Sequence, residues 1–533
     1  MHARALLLAA ICAGSAAGVP AARRTTAGPT GITTAAGVPT AQTTAGPIMG
    51  IATAYGGTAF LGVPFAQSLR WGPPRAPAPW TAPLNTSTYN AGCVNFASVR
   101  GAETEDCLTA NVWLPAAHTP GSPLIVWIHG GGFVFGNADG DFSQLANGTG
   151  AVIVSLNYRL GALGFLALEG FAPAYPTPAA PDAACANVGL LDQQAGLLWA
   201  SANARAFGAD PAHVLVAGQS AGGSSVLFAL TLPGAFGAYR AAWAVSPGSP
   251  TNTLAAGRAI AADIAARLGC PAGAGGPPAQ LACLRAAPAD AVVSAGLAAA
   301  GTHTLPLTLG PVIDGALVTA SPAAAMLAGA FNTAASVLVS QTLFEGDSLL
   351  NGFTHAVVLT PAEAAAALEQ FGVQVGFAPA TTAAVGAAYA PLAARDGAFN
   401  GSSRIWGDGL IGCAAAWAAR GAAAHSARPA RRLLYNTTFP GEPAGRATHG
   451  SDLQVFFNGA GAPGLASSVW AWAANAAVTG DVNNGPLRAA VPWPAFGAGP
   501  GPALLVANER AEFATRADWQ EELCDSLWLP ILP

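Results

Sequence analysis

The chain of 533 residues carries 22 Lys and Arg residues against 27 Asp and Glu residues, a formal net charge of −5 at pH 7. So small a charge leaves no basic patch for nucleic acid and no strong steering field for a charged partner. Although 52% of the residues are hydrophobic, many of them are alanines, and no run of about 18 strongly apolar residues follows the amino-terminal segment. The composition therefore predicts a protein without a transmembrane anchor.

The first 45 residues divide into two segments of different composition. Residues 1–20 place two basic side chains before an apolar run and a stretch of small residues, a pattern typical of a signal peptide. Residues 21–45 are rich in Thr, Ala, Gly and Pro, a composition that builds no core and predicts a low-complexity, flexible spacer. We therefore expect a secreted, extracellular protein whose folded domain begins at residue 46. Secretion would make four sequons available for glycosylation, at Asn85, Asn147, Asn400 and Asn436.

Beyond residue 45, apolar runs of strand length alternate with helical segments. Six runs predict strands, at residues 124–128, 151–156, 213–217, 241–245, 337–340 and 432–435. Four segments predict helices, at residues 193–206, 223–230, 255–268 and 361–371. Such alternation requires a large, mostly parallel central sheet covered by helices on both faces. Although the length would allow three or four domains, the order of motifs predicts one α/β domain over residues 46–533.

A triple glycine follows the first of these strands, in the run from His129 to Phe133. Acyl transfer through a serine creates an oxyanion, which requires preorganised N–H donors at about 2.7–3.1 Å. Backbone amides without side chains reach that position best, and Gly131 and Gly132 would supply two of them. A flexible loop is the alternative interpretation, which the strand before the glycines and the motif after a later strand disfavour.

Ser220 follows the predicted strand at 213–217, within the motif Gly-Gln-Ser-Ala-Gly. A serine with glycines two positions away on either side can occupy a tight strand-to-helix turn that holds its hydroxyl out from the backbone. The amide of Ala221, at the start of the following helix, would be a third oxyanion donor. The motif alone is weak in a chain with 65 glycines, so Ser220 as a nucleophile requires a base and an acid elsewhere.

A serine nucleophile needs a general base, and among the eight histidines His449 lies late in the chain in a small-residue loop. A neutral histidine needs an acceptor on its other nitrogen. Glu345 is the candidate, because it comes shortly after the predicted strand at 337–340, and Asp347 is the competing carboxylate. The order Ser220, Glu345, His449 is the one expected of an α/β-hydrolase.

With these residues the sequence resembles the type B carboxylesterases, which include cholinesterases, bile-salt-activated and fungal lipases, and the non-catalytic neuroligins. The likeness extends from about residue 46 to the C-terminus, and further segments that carry it lie at residues 60–66, 105–112, 157–161, 187–193, 207–211 and 310–315. The resemblance implies the α/β-hydrolase fold and the ion pairs Arg70 with Glu105 and Arg159 with Asp192. It also implies the roles considered above, for the catalytic Ser220, Glu345 and His449 and for the oxyanion amides of Gly131, Gly132 and Ala221.

Six of the eight cysteines have no pairing that the sequence alone can choose, since six cysteines allow 15 connectivities. The resemblance implies three disulfides, which join Cys93 with Cys107, Cys270 with Cys283, and Cys413 with Cys524. Of the other two cysteines, Cys12 lies in the predicted signal peptide. Cys185 is then left over, either as a buried thiol or as the site of an intermolecular bridge.

Two departures from the family pattern bear on the substrate. Gln219 precedes the nucleophile where many members carry Glu, which removes a buried negative charge. The segment 94–106 contains no Trp, the residue with which cholinesterases hold a quaternary ammonium through a cation–π contact. A choline ester is therefore not the expected substrate. A third departure is Asp452, at a position where Glu is common in the family, and it changes no expectation about the substrate.

The sequence thus predicts a serine hydrolase that cleaves carboxylic esters through an acyl-enzyme and needs no metal or organic cofactor. Its substrate would be a small-molecule or lipid ester. Two alternatives stay open, a lipase acting on long-chain acylglycerols and a non-catalytic adhesion or binding protein on the same fold. The sequence determines neither the acyl and alcohol specificity nor the oligomeric state.

Overall fold

A computed structural model of the chain describes most of its residues. They are residues 32–35, 37–96, 103–171, 185–249, 251–273, 275–300, 309–354, 358–437, 446–459, 463–497, 505–508, 513–515 and 523–529. The predicted signal peptide lies outside this range, as do residues 21–31 and 36 of the predicted spacer.

The strands are numbered β1 to β17 in chain order. They are Thr33–Ala35, Val38–Gln42, Pro47–Met49, Ile51–Ala52, Thr58–Pro64, Leu84–Asn85, Thr109–Leu114, Ser122–Ile128, Val152–Leu156, Ala209–Gln219, Ala241–Val245, Asn252–Thr253, Val312–Ile313, Ser336–Thr342, Arg431–Asn436, Leu505–Asn508 and Phe513–Thr515. All six predicted strands are among them, as β8, β9, β10, β11, β14 and β15.

The α-helices are numbered α1 to α15. They are Ser143–Thr149, Gly161–Phe165, Val188–Asn203, Ala221–Thr231, Leu254–Arg267, Gly276–Ala286, Ala289–Ala299, Pro322–Leu327, Glu345–Thr354, Pro361–Gln374, Pro379–Asp396, Ala398–Gly407, Cys413–His425, Asp452–Asn458 and Pro463–Thr479. The predicted helices correspond to α3, α4, α5 and α10. Helix α3 starts earlier than predicted because Gly189 fits a close approach to the main-chain oxygen of Arg159 rather than breaking the helix.

Eleven strands of the described chain form one sheet, in the order β17-β16-β15-β14-β11-β10-β8-β9-β7-β5-β4. The seven strands from β16 to β9 run parallel to their neighbours. The outer strands pair antiparallel. The predicted mostly parallel sheet is confirmed, and the antiparallel edges complete it.

The sheet is buried on both faces, and apolar residues of its central strands pack on each face. Leu124 and Val126 of β8 pack into one large cluster with residues of α3, α4 and α13. Ile125 and Trp127, which alternate with them, pack into a second cluster with residues of α1 and α15. Helices therefore cover both faces of the sheet, as a parallel sheet requires.

The prediction of a flexible spacer needs correction where β1 and β2 form, since both strands lie within residues 21–45. Residues 38–42 form β2, which pairs antiparallel with β3 and places Thr40 opposite Met49. Gly50 also donates to the main-chain oxygen of Pro39 at 2.8 Å. A composition that builds no core still carries main-chain donors and acceptors, and these add β2 to a small four-stranded sheet. Ordered structure therefore begins before residue 46.

The three disulfides implied by the resemblance are present, and they join Cys93 to Cys107, Cys270 to Cys283, and Cys413 to Cys524. Cys185 is buried as a free thiol, and burial raises the pKa of that thiol to about 12.

Both expected ion pairs form as well. The Arg70 guanidinium binds the carboxylate of Glu105, with its Nε at 2.7 Å. Arg159 binds Asp192 at 2.6 Å, and both side chains are buried.

Within the described residues no single helix has the length and hydropathy of a membrane span. Helices α6 and α7, which are bent by 113° relative to each other, reach that threshold only when they are taken together.

Candidate active site

The candidate residues lie at one edge of the sheet, where parallel strands end. The triple glycine follows β8, Ser220 follows β10, Glu345 follows β14 and His449 follows β15. The carboxyl ends of parallel strands meet at one edge, which is where open α/β sheets carry their sites. Residues 229 positions apart in sequence, Ser220 and His449, are thereby brought into contact.

Ser220 occupies a strained backbone conformation between β10 and α4. Its φ of 59° and ψ of −124° lie in a region that residues with a side chain rarely adopt. The flanking glycines make the turn possible, because a side chain at Gly222 would collide with the main-chain oxygen of Ile128 and one at Gly218 with that of Gly222. The tight strand-to-helix turn that the motif predicts is therefore present at Ser220.

A continuous chain of hydrogen bonds connects the three side chains. The Oγ of Ser220 is 2.8 Å from Nε2 of His449. The Nδ1 of the same imidazole is 2.5 Å from Oε2 of Glu345. Because a carboxylate only accepts hydrogen bonds, Nδ1 carries the proton and Nε2 faces the serine hydroxyl as an acceptor.

Glu345 is 3% exposed and fully engaged. Its Oε1 accepts hydrogen bonds from the Oγ of Ser246 at 2.7 Å and from the amide of Thr342 at 2.5 Å. Sequence reasoning missed Ser246, although a signal was present, since this serine is the first polar residue after the predicted strand at 241–245. These donors fix the carboxylate toward His449.

Asp347, the competing carboxylate, points elsewhere. Its Oδ1 accepts a hydrogen bond from Ser403 at 2.5 Å, and its Oδ2 lies 3.0 Å from Nε of Arg446. Burial raises the pKa of Asp347, while Ser403 and Arg446 oppose that shift. The structure therefore places Glu345, and not Asp347, against the imidazole.

Two acidic residues, Glu345 and Asp452, raise the pKa of His449. Burial lowers the pKa of His449, but the charge of Glu345 and the hydrogen bond to it raise that pKa above its ordinary value of 6.5. Burial together with the charge of Glu345 raises the pKa of Asp452 to about 7. Both carboxyl oxygens of Asp452 are buried, and the charge of His449 and the backbone amides of Asp452 and Leu453 oppose this rise. This residue, which the sequence interpretation discounted, is the second acid at the site.

The glycine segment after β8 forms a tight loop against the serine turn. A side chain at Gly130 would lie 2.7 Å from the oxygen of Gln219 and 3.1 Å from Cβ of Ser220, so the two segments are in direct contact. Gly131 has a φ of 110° and Gly132 one of 61°, both in the region that glycine adopts freely. Ala221 opens α4, where the first amides have no intrahelical acceptor.

Gln219 also contacts the imidazole. Its Nε2 is 3.2 Å from Nε2 of His449, in a position where an acidic residue would place a second negative charge. An amide in that position adds a donor and no charge.

A serine, a histidine and a buried glutamate in one hydrogen-bonded chain, at the carboxyl edge of a mostly parallel sheet, define the class of serine hydrolases with the α/β-hydrolase fold. The carboxylesterase family matches residues 37–516. The chain belongs to this family of carboxylic ester hydrolases.

Individual relatives agree with that membership. The acetylcholinesterase of Gallus gallus is 37% identical over 294 residues, which cover 50% of this chain and 37% of that protein. The fumonisin B1 esterase of Sphingopyxis macrogoltabida is 31% identical over 424 residues, which cover 75% of this chain and 71% of the esterase. Among solved structures, PNB esterase superposes on this chain with a TM-score of 0.75 and is 26% identical in sequence. The superposition covers 92% of this chain and 99% of the PNB esterase chain.

Proposed function

We propose that this protein is a secreted esterase that hydrolyses carboxylic esters with Ser220 as nucleophile, His449 as general base and Glu345 as the orienting acid. The observation that carries the proposal is the unbroken hydrogen-bonded chain from the Ser220 hydroxyl through both imidazole nitrogens to the Glu345 carboxylate. Family membership supports the reaction class.

In the first half-reaction, Oγ of Ser220 attacks the ester carbonyl carbon while its proton moves to Nε2 of His449. The imidazolium that results is stabilised by Glu345, whose negative charge lies at hydrogen-bonding distance from Nδ1. The carbonyl oxygen becomes an oxyanion, for which the amides of Gly131, Gly132 and Ala221 are the proposed donors. Collapse of the tetrahedral intermediate breaks the ester bond, and the departing alkoxide takes the proton from Nε2.

In the second half-reaction, water replaces the alcohol. His449 removes a proton from the water as its oxygen attacks the acyl carbon, and the same amides hold the second oxyanion. Collapse returns the proton to Ser220 and releases the carboxylic acid. The buried position of Glu345 suits both steps, because a low-dielectric environment strengthens its attraction to the imidazolium.

We propose an uncharged ester as the substrate class. Gln219 contributes no charge next to His449, and the raised pKa of Asp452 keeps part of that acid neutral near pH 7. The charge of Glu345 is matched by the proton that His449 gains during the reaction. Nothing in this set of side chains favours a quaternary ammonium over a neutral alcohol group.

We also propose secretion, which the disulfides support. Three disulfides stabilise the fold, and such bonds persist in oxidising compartments.

Of the four sequons, Asn85 is exposed at β6. The side-chain amides of Asn147 and Asn400 donate to the main-chain oxygens of Tyr55 and Asp396, so Asn85 is the better candidate for a glycan.

The experiment is turnover of p-nitrophenyl esters with acyl chains of increasing length by the secreted protein, with and without an organophosphate. We expect hydrolysis that stops when one organophosphate is bound per chain, at Ser220 by peptide mass mapping. An optimum at short chains defines an esterase and one at long chains a lipase. Absence of both turnover and labelling in correctly disulfide-bonded protein would overturn the proposal in favour of a non-catalytic binding protein.

The substrate class is tested with a matched pair, acetylthiocholine and its uncharged isostere 3,3-dimethylbutyl thioacetate. The two esters share their shape and differ in the charge of the alcohol group. We expect kcat/KM values within about threefold of each other, since Gln219 adds no charge next to His449 and the proton that His449 gains offsets the charge of Glu345. A preference of more than about tenfold for the cation would contradict the neutral-substrate proposal.

A further inference from the structure

The three proposed oxyanion donors share a structural property. Each amide belongs to a planar peptide unit, and in a trans peptide the N–H points opposite to the carbonyl of the same unit. A hydrogen bond to that carbonyl therefore fixes the direction in which the amide points. For each donor the relevant carbonyl is that of the preceding residue.

Main-chain donors fix two of these units. The carbonyl of Ser220, in the unit that carries the Ala221 amide, accepts from the amide of Ser224 at 2.8 Å. The Ser224 hydroxyl adds a second bond to the same oxygen at 3.2 Å. The carbonyl of Gly131, in the unit of the Gly132 amide, accepts from Val134 and Phe135 at 3.0 and 3.1 Å. The directions of the Ala221 and Gly132 amides are therefore fixed by main-chain hydrogen bonds even without a side-chain donor.

A side chain fixes the remaining unit. The carbonyl of Gly130, which belongs to the unit that carries the Gly131 amide, lies 2.8 Å from Nδ1 of His129. A carbonyl only accepts, so Nδ1 is the protonated nitrogen. Gly136 leaves room for this bond, because a side chain there would lie 2.6 Å from Nδ1 and 2.7 Å from the Gly130 oxygen.

The imidazole of His129 is itself held in place. Its ring stacks on Tyr158, with ring centroids 4.4 Å apart and planes at 20°. The Tyr158 hydroxyl donates to the carbonyl of His129 at 3.0 Å, which fixes the peptide unit immediately before. Burial lowers the pKa of His129 to about 4, so the ring remains a neutral, single-tautomer donor at neutral pH. Its Nε2 has no hydrogen-bond partner within the described residues.

We propose that His129 is a positioning residue for ester hydrolysis, whose Nδ1–H bond to the Gly130 carbonyl aims the Gly131 amide at the oxyanion, with Tyr158 holding the imidazole in place. The inference rests on the proposed function. It assigns to His129 a role that depends on the direction of one amide and not on proton transfer.

Two substitutions of His129 separate the hydrogen bond from the ring. His129→Phe keeps an aromatic ring for Tyr158 and removes the donor, whereas His129→Asn keeps an N–H donor near the position of Nδ1 and removes the ring. We expect His129→Phe to lower kcat by about ten- to a hundredfold, with KM within about threefold, because the Gly131 donor acts on the oxyanion and not on the ground state. We expect His129→Asn to recover at least about tenfold of that loss.

Two further readouts separate positioning from folding. The inhibition constant of a trifluoromethyl ketone, which forms an oxyanion on the serine, should rise by the same factor as kcat falls. Tyr158→Phe should lower kcat by about three- to tenfold, and its matched control is Tyr239→Phe. Tyr239 is a buried tyrosine whose hydroxyl also donates to a main-chain oxygen, that of Ala229 at 2.9 Å, and we expect no change in kcat for this variant.

Rates are given per active site, titrated with an organophosphate. Equal losses in His129→Phe and His129→Asn, or a normal inhibition constant beside a lowered kcat, would overturn the inference. Should His129→Phe fail to fold, Tyr158→Phe decides, and a kcat equal to that of Tyr239→Phe would also overturn it. An active Ser220→Ala variant would instead reject the proposed function, so the two failures are distinguishable.

Discussion

The site has two halves that are built by different means. The half contributed by β8 and β10 is made of backbone, with a strained serine turn and a glycine loop pressed against it. The half contributed by the segments after β14 and β15 is made of buried charged side chains, in which both Glu345 and Asp452 raise the pKa of His449. Shape controls the first half and protonation the second, so the two should respond differently to substitution and to pH.

The largest effect should come from the charged half. Glu345→Gln keeps the shape of the side chain and removes the negative charge that stabilises the imidazolium. We expect kcat to fall by about 10⁴-fold. We also expect the midpoint of the rising pH profile, which for the wild type lies above 6.5 because Glu345 raises the pKa of His449, to move to lower pH.

The control for this variant is Asp347→Asn, a second buried carboxylate two residues away that binds Ser403 and Arg446. Its kcat should stay within about tenfold of the wild type, since Asp347 does not touch the imidazole. Equal losses in the two variants, measured with p-nitrophenyl acetate, would contradict the role given to Glu345.

Gly222→Ala disturbs the half of the site that β8 and β10 contribute. The added methyl group would collide with the main-chain oxygen of Ile128, so β8 or the serine turn must move. We expect a loss of more than about a hundredfold in kcat, because an ångström of displacement suffices for that, and about 1–3 kcal/mol in the free energy of unfolding.

The pH profile of Gly222→Ala should keep its midpoint, in contrast to Glu345→Gln. Gly273→Ala is the control, since a side chain there would meet only the oxygen of Pro271 at 3.9 Å. A shifted midpoint in Gly222→Ala would show that the two halves are not separable in this way.

A smaller effect is expected from Ser246→Ala. The change removes one of the two donors to Oε1 of Glu345, and a hydrogen bond to a charged group contributes about 1.5–3 kcal/mol. Part of that loss is recovered by water, so we expect kcat to fall by about tenfold. Ser468→Ala, at an equally buried serine whose hydroxyl donates to Gly464, should leave kcat unchanged. Equal rates for both variants would show that Ser246 plays no part.

The smallest effect on turnover should come from Asp452→Asn. In the folded protein the pKa of Asp452 is raised to about 7, so the stability associated with its neutral form is present at low pH and is lost as pH rises through that value. Replacing the acid should therefore raise Tm at pH 8 more than at pH 5.

Removing this charge should also lower the midpoint of the kcat/KM profile, because Asp452 helps to raise the pKa of His449. At high pH we expect kcat within about threefold of the wild type. Asp263→Asn, at a half-exposed carboxylate on α5, is the control for both readouts. A variant with unchanged Tm and midpoint would contradict the burial of an ionisable Asp452 at the site.

The same division explains what could be predicted from the sequence. Backbone requirements are local, so the glycines around Ser220 and after β8 indicate a turn and a loop, and apolar runs indicate the strands that bring them together. The position of Glu345 shortly after such a run made it the candidate acid, while Asp347 stayed open as a competing carboxylate. The parallel sheet and its helical layers follow from the alternation of elements.

Long-range side-chain environments could not be predicted in this way. Three features depend on where distant segments pack: the burial of Asp452, the bond from Ser246 to Glu345 and the stacking of Tyr158 on His129. Strand β2 was missed for a related reason, since its main-chain pairing with β3 needs no apolar pattern. Composition describes side chains, and β2 is held mainly by backbone.

The most direct test of the central claim is a comparison of Ser220→Ala with Ser467→Ala, which changes an exposed serine on α15, in turnover and in organophosphate labelling. We predict that Ser220→Ala loses at least about a thousandfold in kcat and takes up no label, whereas Ser467→Ala keeps the wild-type rate and one label per chain. Near-normal turnover by folded Ser220→Ala, or a label on any other residue, would contradict the assignment of Ser220 as the nucleophile.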